Sequence, residues 1–160
     1  MDSPRLVLTV DSREQCPLEF KPGIFSQIVT AKLEFADYGC TINGTKTSVY
    51  FERKSLEDCF GSLTKGYKRL KRMFDRAKAA NSQVILLVEG SHRIVASGTK
   101  HSSVSGDQII RTLYSLWVRY DIVPVFCEDR RTASRVIEEF YTAIARNYSN
   151  KKADSNEAIG

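Results

Sequence analysis

The chain has 160 residues, 42% of them hydrophobic and 27% charged, with a formal net charge of +5. This is one domain with enough apolar residues for a core, and it has no apolar run of about 18 residues; a disordered chain and a membrane-spanning helix are excluded. Cys16, Cys40, Cys59 and Cys127 lie far apart, with no Cys-x-x-Cys and neither His92 nor His101 at ligand spacing, which excludes a zinc site.

The positive charge fits a polyanionic partner. No N-terminal signal is visible and nothing points to an oxidising compartment. The expected location is intracellular: cytoplasm or nucleoid in a bacterium or phage, nucleus in a eukaryote, with no membrane partner.

In chain order, apolar and β-branched residues predict a buried strand over 5–10. Asp11, Arg13 and Glu14 crowd its end, as a turn cap or as a site. Pro17, Pro22 and Gly23 mark a loop, and residues 24–28 form a helical turn or nothing regular. Strands are expected over 27–35 and 38–42, then a turn at Asn43-Gly44 and a strand over 48–53. Glu52 and Lys54 then point the same way, because strand side chains alternate. Asp37 lies upstream beside a turn. Two carboxylates and a lysine on one face are what metal-assisted phosphodiester hydrolysis needs. The ordinary alternative is a solvated ion pair.

Ser55 caps the next helix, with Asp58 completing a start like a capping box. Leu56, Phe60, Leu63, Tyr67, Leu70 and Phe74 make one apolar stripe, and Gly61 and Gly66 are where the helix would bend. Lys65, Lys68, Arg69, Lys71, Arg72, Arg76 and Lys78 face a single acid, Asp75, across this stretch. So few opposite charges for helical pairing favour a phosphate-binding surface over a merely solvated face.

A buried strand over 84–89 ends at Gly90, and residues 91–105 read as a polar loop. A helix follows over 106–120 with Ile109, Ile110, Leu113, Leu116 and Trp117 inward. The last strand, 122–126, carries Pro124, which suits an edge. The last helix covers 132–148, and 149–160 reads as a disordered tail after a 1–148 domain. The pattern predicts an α/β fold: a mixed β-sheet flanked by helices, with acids from three strand ends meeting at one edge.

Asp11-Ser12-Arg13-Glu14, then Ala36-Asp37-Tyr38, then Glu52-Arg53-Lys54-Ser55-Leu56-Glu57-Asp58 resembles the nuclease domain of the XPF family of structure-specific DNA endonucleases. Gln15 to Phe20 and Gly61 to Gly66 resemble its small stand-alone bacterial and phage members. The likeness runs from about residue 5 to residue 148. Two positions depart from the family pattern: Ala36 stands where the family has Gly, and Tyr67 where it has Arg. Alanine is strained at position 36 if φ is positive there, and nearly neutral otherwise.

The resemblance implies a restriction-endonuclease-like core and hydrolysis of branched or flapped DNA with Mg²⁺, or Mn²⁺ in its place, in repair, recombination or replication. It implies that Asp37 and Glu52 hold the metal, helped by a backbone carbonyl beside Glu52. Lys54 positions the attacking water or stabilises charge. Asp11 and Glu14 support the ligands from behind or bind a second ion. Arg13 and Arg53 face phosphates or pair with these acids. Asp58 favours the helix start or orients Arg53 or Lys54. Arg13, Lys65, Lys68, Arg69 and Arg72 are the expected nucleic-acid contacts.

The family usually carries a helix-hairpin-helix module after the nuclease domain, and none fits in this length. A homodimer through the last two helices, using Ile109, Leu113, Leu116, Trp117, Val136, Phe140 and Ile144, or a partner protein, is expected to complete the grip on DNA. The alternatives are a catalytically weak DNA-binding relative and a site-specific restriction-type enzyme.

Overall fold

One mixed sheet of seven strands organises the chain. The computed structural model describes residues 3–157, with side chains to residue 149. The elements are β1 (Leu6–Asp11), β2 (Gln27–Ala31), β3 (Tyr38–Ile42), β4 (Thr45–Lys46), β5 (Val49–Ser55), α1 (Leu56–Leu63), α2 (Tyr67–Ala79), β6 (Gln83–Glu89), α3 (His92–Ala96), α4 (Gly106–Tyr120), β7 (Val123–Cys127) and α5 (Arg130–Glu157). The sheet order is β2-β1-β3-β5-β6-β7, with β4 on β3. β1 runs parallel to β2, and β5, β6 and β7 run parallel to one another. β3 is antiparallel to both β1 and β5.

Alternation along the strands builds two cores. Val84, Leu86 and Val88 of β6 face a cluster with Phe60, Phe74, Ile109 and Leu113, under α1, α2 and α4. Ile85 and Leu87 face the other cluster, with Leu8, Phe51, Ile137 and Tyr141, under α5. A parallel strand covered on both faces has no polar side, which is why β6 reads as an unbroken apolar run. β7 is the edge strand, so Pro124 removes no needed ladder bond on its open side.

Three expectations need correction. β2 ends at Ala31, because the backbone of Leu33 bonds to side chains instead of a neighbouring strand: its N–H donates to Asp11 and its carbonyl accepts from Arg13. The helix after Ser55 is two helices. At the break the Gly66 N–H bonds back to Gly61 O at 2.9 Å, and the Thr64 hydroxyl donates to Phe60 O. Residues 91–105 are not all loop: the Ser91 hydroxyl caps the Ile94 N–H and starts α3, whose Val95 is buried. The last helix, α5, is bounded by Arg130 and Glu157 and so enters the 149–160 segment. Residues 158–160 of that segment lie outside the described residues.

The stripe assigned to a dimer contact is largely the chain's own core. Ile109, Leu113 and Leu116 are buried, and Val136, Phe140 and Ile144 pack against the second cluster. On α4 the exposed apolar side chains are Tyr114, Trp117 and Val118, the last 88% exposed. No helix among the described residues is long and apolar enough to cross a membrane.

α3 docks on α4 through Gly106, where an added Cβ would overlap the carbonyl oxygens of Val95 and Ala96. Both obstacles are backbone, so they cannot rotate aside. Gly106→Ala is expected to cost roughly 2–3 kcal/mol, at the upper end of overpacking penalties. The check is a lowered urea midpoint with an unchanged m-value.

Candidate active site

Three strands deliver the acids. Asp11 ends β1, Asp37 precedes β3, and Glu52 lies within β5. Asp37 is held by its backbone and its side chain together. Its N–H donates to Phe51 O at 2.9 Å, and its carbonyl accepts from the Asp11 N–H at 2.8 Å. Its Oδ2 accepts from the Arg53 N–H at 2.8 Å. The residue before it, Ala36, has φ +63°, the left-handed region that favours glycine. Position 36 is therefore the strained case.

Glu52 and Lys54 do share a face. The Lys54 Nζ lies 2.6 Å from Glu52 Oε1, and both side chains are mostly buried. Burial alone would lower the lysine, but the Glu52 carboxylate, with Asp37 and Asp58 behind it, raises it, so Lys54 stays an ammonium. Asp37 goes the other way for a carboxyl. Burial, then repulsion from Glu52, pushes it up to about 7 against the Arg53 N–H.

These groups open into a cleft of about 790 Å³. Asp11, Asp37, Glu52, Glu57 and Asp58 line it, together with Arg69, Arg72 and Arg76 of α2. Asp58 lies in the first turn of α1, where its N–H donates to the Ser55 hydroxyl at 3.2 Å, and it lines the cleft.

Asp11 is saturated. Its two oxygens accept from the Arg13 backbone N–H, the Arg13 guanidinium twice and the Leu33 N–H. Burial opposes its charge, but these bonds hold it down at about 2. Its role here is to hold Arg13, whose exposed side chain also lines the cleft.

Glu14 and Arg53 do not line the cleft. Arg53 alternates to the opposite face of β5, where its guanidinium meets Glu89 at 2.9 Å, the Cys16 carbonyl at 3.0 Å and Glu14 at 3.7 Å. Of the expected nucleic-acid residues, Arg13, Arg69 and Arg72 border the cleft, while Lys65 and Lys68 are exposed outside it. Arg76, part of the basic run, and Glu57 border it too, although neither was among the expected site residues. Helical spacing carried the signal for Arg76, which lies four residues after Arg72 on the same face.

No group of three or more His, Cys, Asp or Glu side chains among the described residues forms a ready metal cage. Asp37 and Glu52 nonetheless fit a hard cation. They are adjacent carboxyls whose mutual repulsion raises Asp37. Mg²⁺ keeps several waters and is held by one or two carboxylates rather than by a full protein cage.

The ERCC4 domain model matches residues 10–140. Among solved structures, XPF from Aeropyrum pernix superposes with a TM-score of 0.64 at 23% identity, covering 94% of this chain and 69% of that one. A second structure of that protein, in complex with DNA, also gives 0.64, at 24% identity, covering 92% of this chain and 66% of that one. This chain thus spans about two thirds of their length. At these identities the likeness establishes the restriction-endonuclease-like fold. No curated protein matches the chain.

The raised Asp37 has a testable sign. The folded state holds this proton more tightly than the unfolded chain, so its contribution to stability is full below the ordinary carboxylate range and is lost as pH rises to about 7. Without divalent ions, Asp37→Asn should therefore gain on the wild type between pH 4 and pH 8, by on the order of 5 °C in Tm. Mg²⁺ should raise the wild-type Tm more at pH 8 than at pH 6 and leave Asp37→Asn unmoved. Scanning calorimetry across this range reads both.

Proposed function

The chain belongs to the ERCC4 domain family, and from that premise we propose that it is a metal-dependent, structure-specific DNA endonuclease acting on branched or flapped DNA. The observation that carries this reading is the half-buried Asp37 and buried Glu52 beside a charged Lys54, in a cleft also lined by arginines. Asp37 and Glu52 would hold Mg²⁺, with Mn²⁺ able to substitute. Such an ion, when bound, supplies a Lewis acid and a water of lowered pKa.

The chain's own groups account for the rest. The Asp37 Oδ1 has no hydrogen-bond partner among the described residues, whereas Oδ2 is fixed by the Arg53 N–H; the carboxyl is thus oriented with one oxygen to offer. Lys54, kept protonated by Glu52, is poorly suited to be a general base. Its role is to orient the attacking water and to offset charge gathering on the phosphate as the new P–O bond forms and the leaving oxygen departs. Arg69 and Arg72 face the flanking phosphates. Arg53, Glu14 and Glu89 keep β5 and the loop at Cys16 in place behind the site.

A homodimer remains part of the proposal, by a smaller surface than the sequence suggested. Tyr114, Trp117 and Val118 are the exposed apolar side chains of α4 that such a pairing would bury.

Cleavage assays on flap, fork and plain duplex DNA, with and without Mg²⁺, test the function. The flap or fork should be cut only with the ion. Asp37→Asn and Glu52→Gln should each lose cleavage while DNA binding survives. Near-normal turnover by either would sink the assignment.

Lys54→Ala is expected to do two things. The rate should fall by about 10²-fold or more, in the range seen when an electrostatic stabiliser is removed. Stability should fall too, because buried Glu52 and half-buried Asp37 lose the neighbouring cation, and Mg²⁺ should restore part of it. A variant with a normal rate would make Lys54 a structural partner of Glu52 only.

For assembly, sedimentation at micromolar concentration should find dimers that Trp117→Glu converts to monomers. A wild-type monomer with full activity would remove dimerisation from the mechanism.

A further inference from the structure

The arginine wall does not stop at the cleft. A second groove, of about 710 Å³, is lined by Arg13, Lys32, Leu33, Glu34, Arg76, Ala79 and Ala80. Arg13 and Arg76 border both hollows, which makes the two neighbours. Arg69, Arg72 and Arg76 lie at i, i+3 and i+7 on α2, one face of the helix. At a rise of about 1.5 Å per residue they span roughly 10 Å. That is about three phosphate steps of one strand, at roughly 3.4 Å each along a duplex axis.

Their charges are unspent. Among the described residues no carboxylate lies within ion-pair distance of Arg69, Arg72, Arg76 or Lys32. Lys71, on another face of α2, is paired with Asp75 at 3.0 Å and lies over the Tyr120 ring. The guanidinium of Arg76 reaches the carbonyl of Glu34 at 3.4 Å, which leans it over the junction. Beyond it, Ala79 and Ala80 keep the far wall low, and half-buried Leu33 supplies an apolar floor. Glu34 is the one acid bordering the second groove, against three cations.

We propose that this second groove is a nucleic-acid subsite. It takes one strand of the substrate as that strand passes between Arg13 and Arg76, with Lys32 and Arg76 on phosphates a few nucleotides from the bond that is cut. A single file of cations along a helix matches a single file of phosphates, so the occupant is a single-stranded arm of DNA rather than a second duplex. The subsite rests on the endonuclease reading of the neighbouring cleft and gives that reading a direction: one arm of the branched substrate leaves towards Lys32.

The test is a binding series in Mg²⁺-free buffer, using branched DNA whose single-stranded arm is lengthened one nucleotide at a time. Wild-type affinity should rise over the first few nucleotides and then level. Lys32→Glu and Arg76→Glu should each flatten that rise, losing about tenfold in affinity for the long-armed DNA. Each should also lower the slope of log affinity against log salt by about one unit per contact removed. Lys32 is exposed and makes no side-chain bond among the described residues, so its variant keeps the test open if Arg76→Glu misfolds. An arm-length rise and salt slope preserved in Lys32→Glu, or no rise in the wild type, overturns the subsite. Cleavage by the wild type with Mg²⁺ is scored alongside. Cleavage without arm dependence removes the subsite alone, whereas a chain that neither binds nor cuts DNA removes the endonuclease reading and the subsite with it.

Discussion

The geometry of the site depends on how Asp37 is fixed between β1 and β5. One residue supplies a donor to Phe51, an acceptor to Asp11 and a carboxylate oxygen to the Arg53 N–H. It therefore joins the two strands that carry the other acids. The turn that permits this places Ala36 in the left-handed region. That costs an L-residue about 1–2 kcal/mol. Alanine recovers about 0.5–1 kcal/mol relative to glycine through its smaller unfolded-state entropy. Its buried methyl returns a further amount of about 0.8 kcal/mol. The two sides nearly balance, which is how a position suited to glycine accepts alanine.

Strand alternation then divides the Glu52-Arg53-Lys54 run into two kinds of work. Glu52 and Lys54 face the cleft, and Arg53 faces away into Glu14, Glu89 and the Cys16 carbonyl. A buried guanidinium is costly unless its donors are met, and here both Nη groups have close partners. The Arg53 Nε has no hydrogen bond and only the more distant Glu14 carboxylate. Three consecutive charged residues thus need not share one task. The outer two pair with each other in the cleft, and the middle one anchors the strand that presents them.

This division was only half legible in the sequence. Alternation placed Glu52 and Lys54 together, yet the same rule sent Arg53 to the other face, where Glu89 could be found only through the parallel register of β5 with β6. The end of β1, the Ser55 cap, the edge position of Pro124 and the placement of Asp11, Asp37 and Glu52 near strand ends follow from local pattern. The rest came from tertiary contacts. Leu33 leaves β2 because Asp11 and Arg13 take its backbone groups. The apolar stripe of α4 reads equally well as a dimer face or as a core, and only the packing of Ile109, Leu113 and Leu116 against β6 and α2 decides for the core. α3 was hidden because five residues are too few for a periodic signal.

Charge placement gives these pieces a common logic. The acids are crowded, and burial together with repulsion from Glu52 raises Asp37, which is unfavourable in isolation. The arginines opposite are exposed and unpaired, although they line the same cleft. Had the two walls closed on each other, ion pairs would have cancelled both. Instead Asp11 takes Arg13 and Glu52 takes Lys54, and the arginines of α2 keep their charge for solvent or a ligand. A ligand that satisfies both walls must carry negative charge towards α2 and bring positive charge to Asp37 and Glu52. A nucleic-acid phosphate accompanied by a divalent cation meets both demands at once. A neutral substrate or a simple cation meets at most one of them.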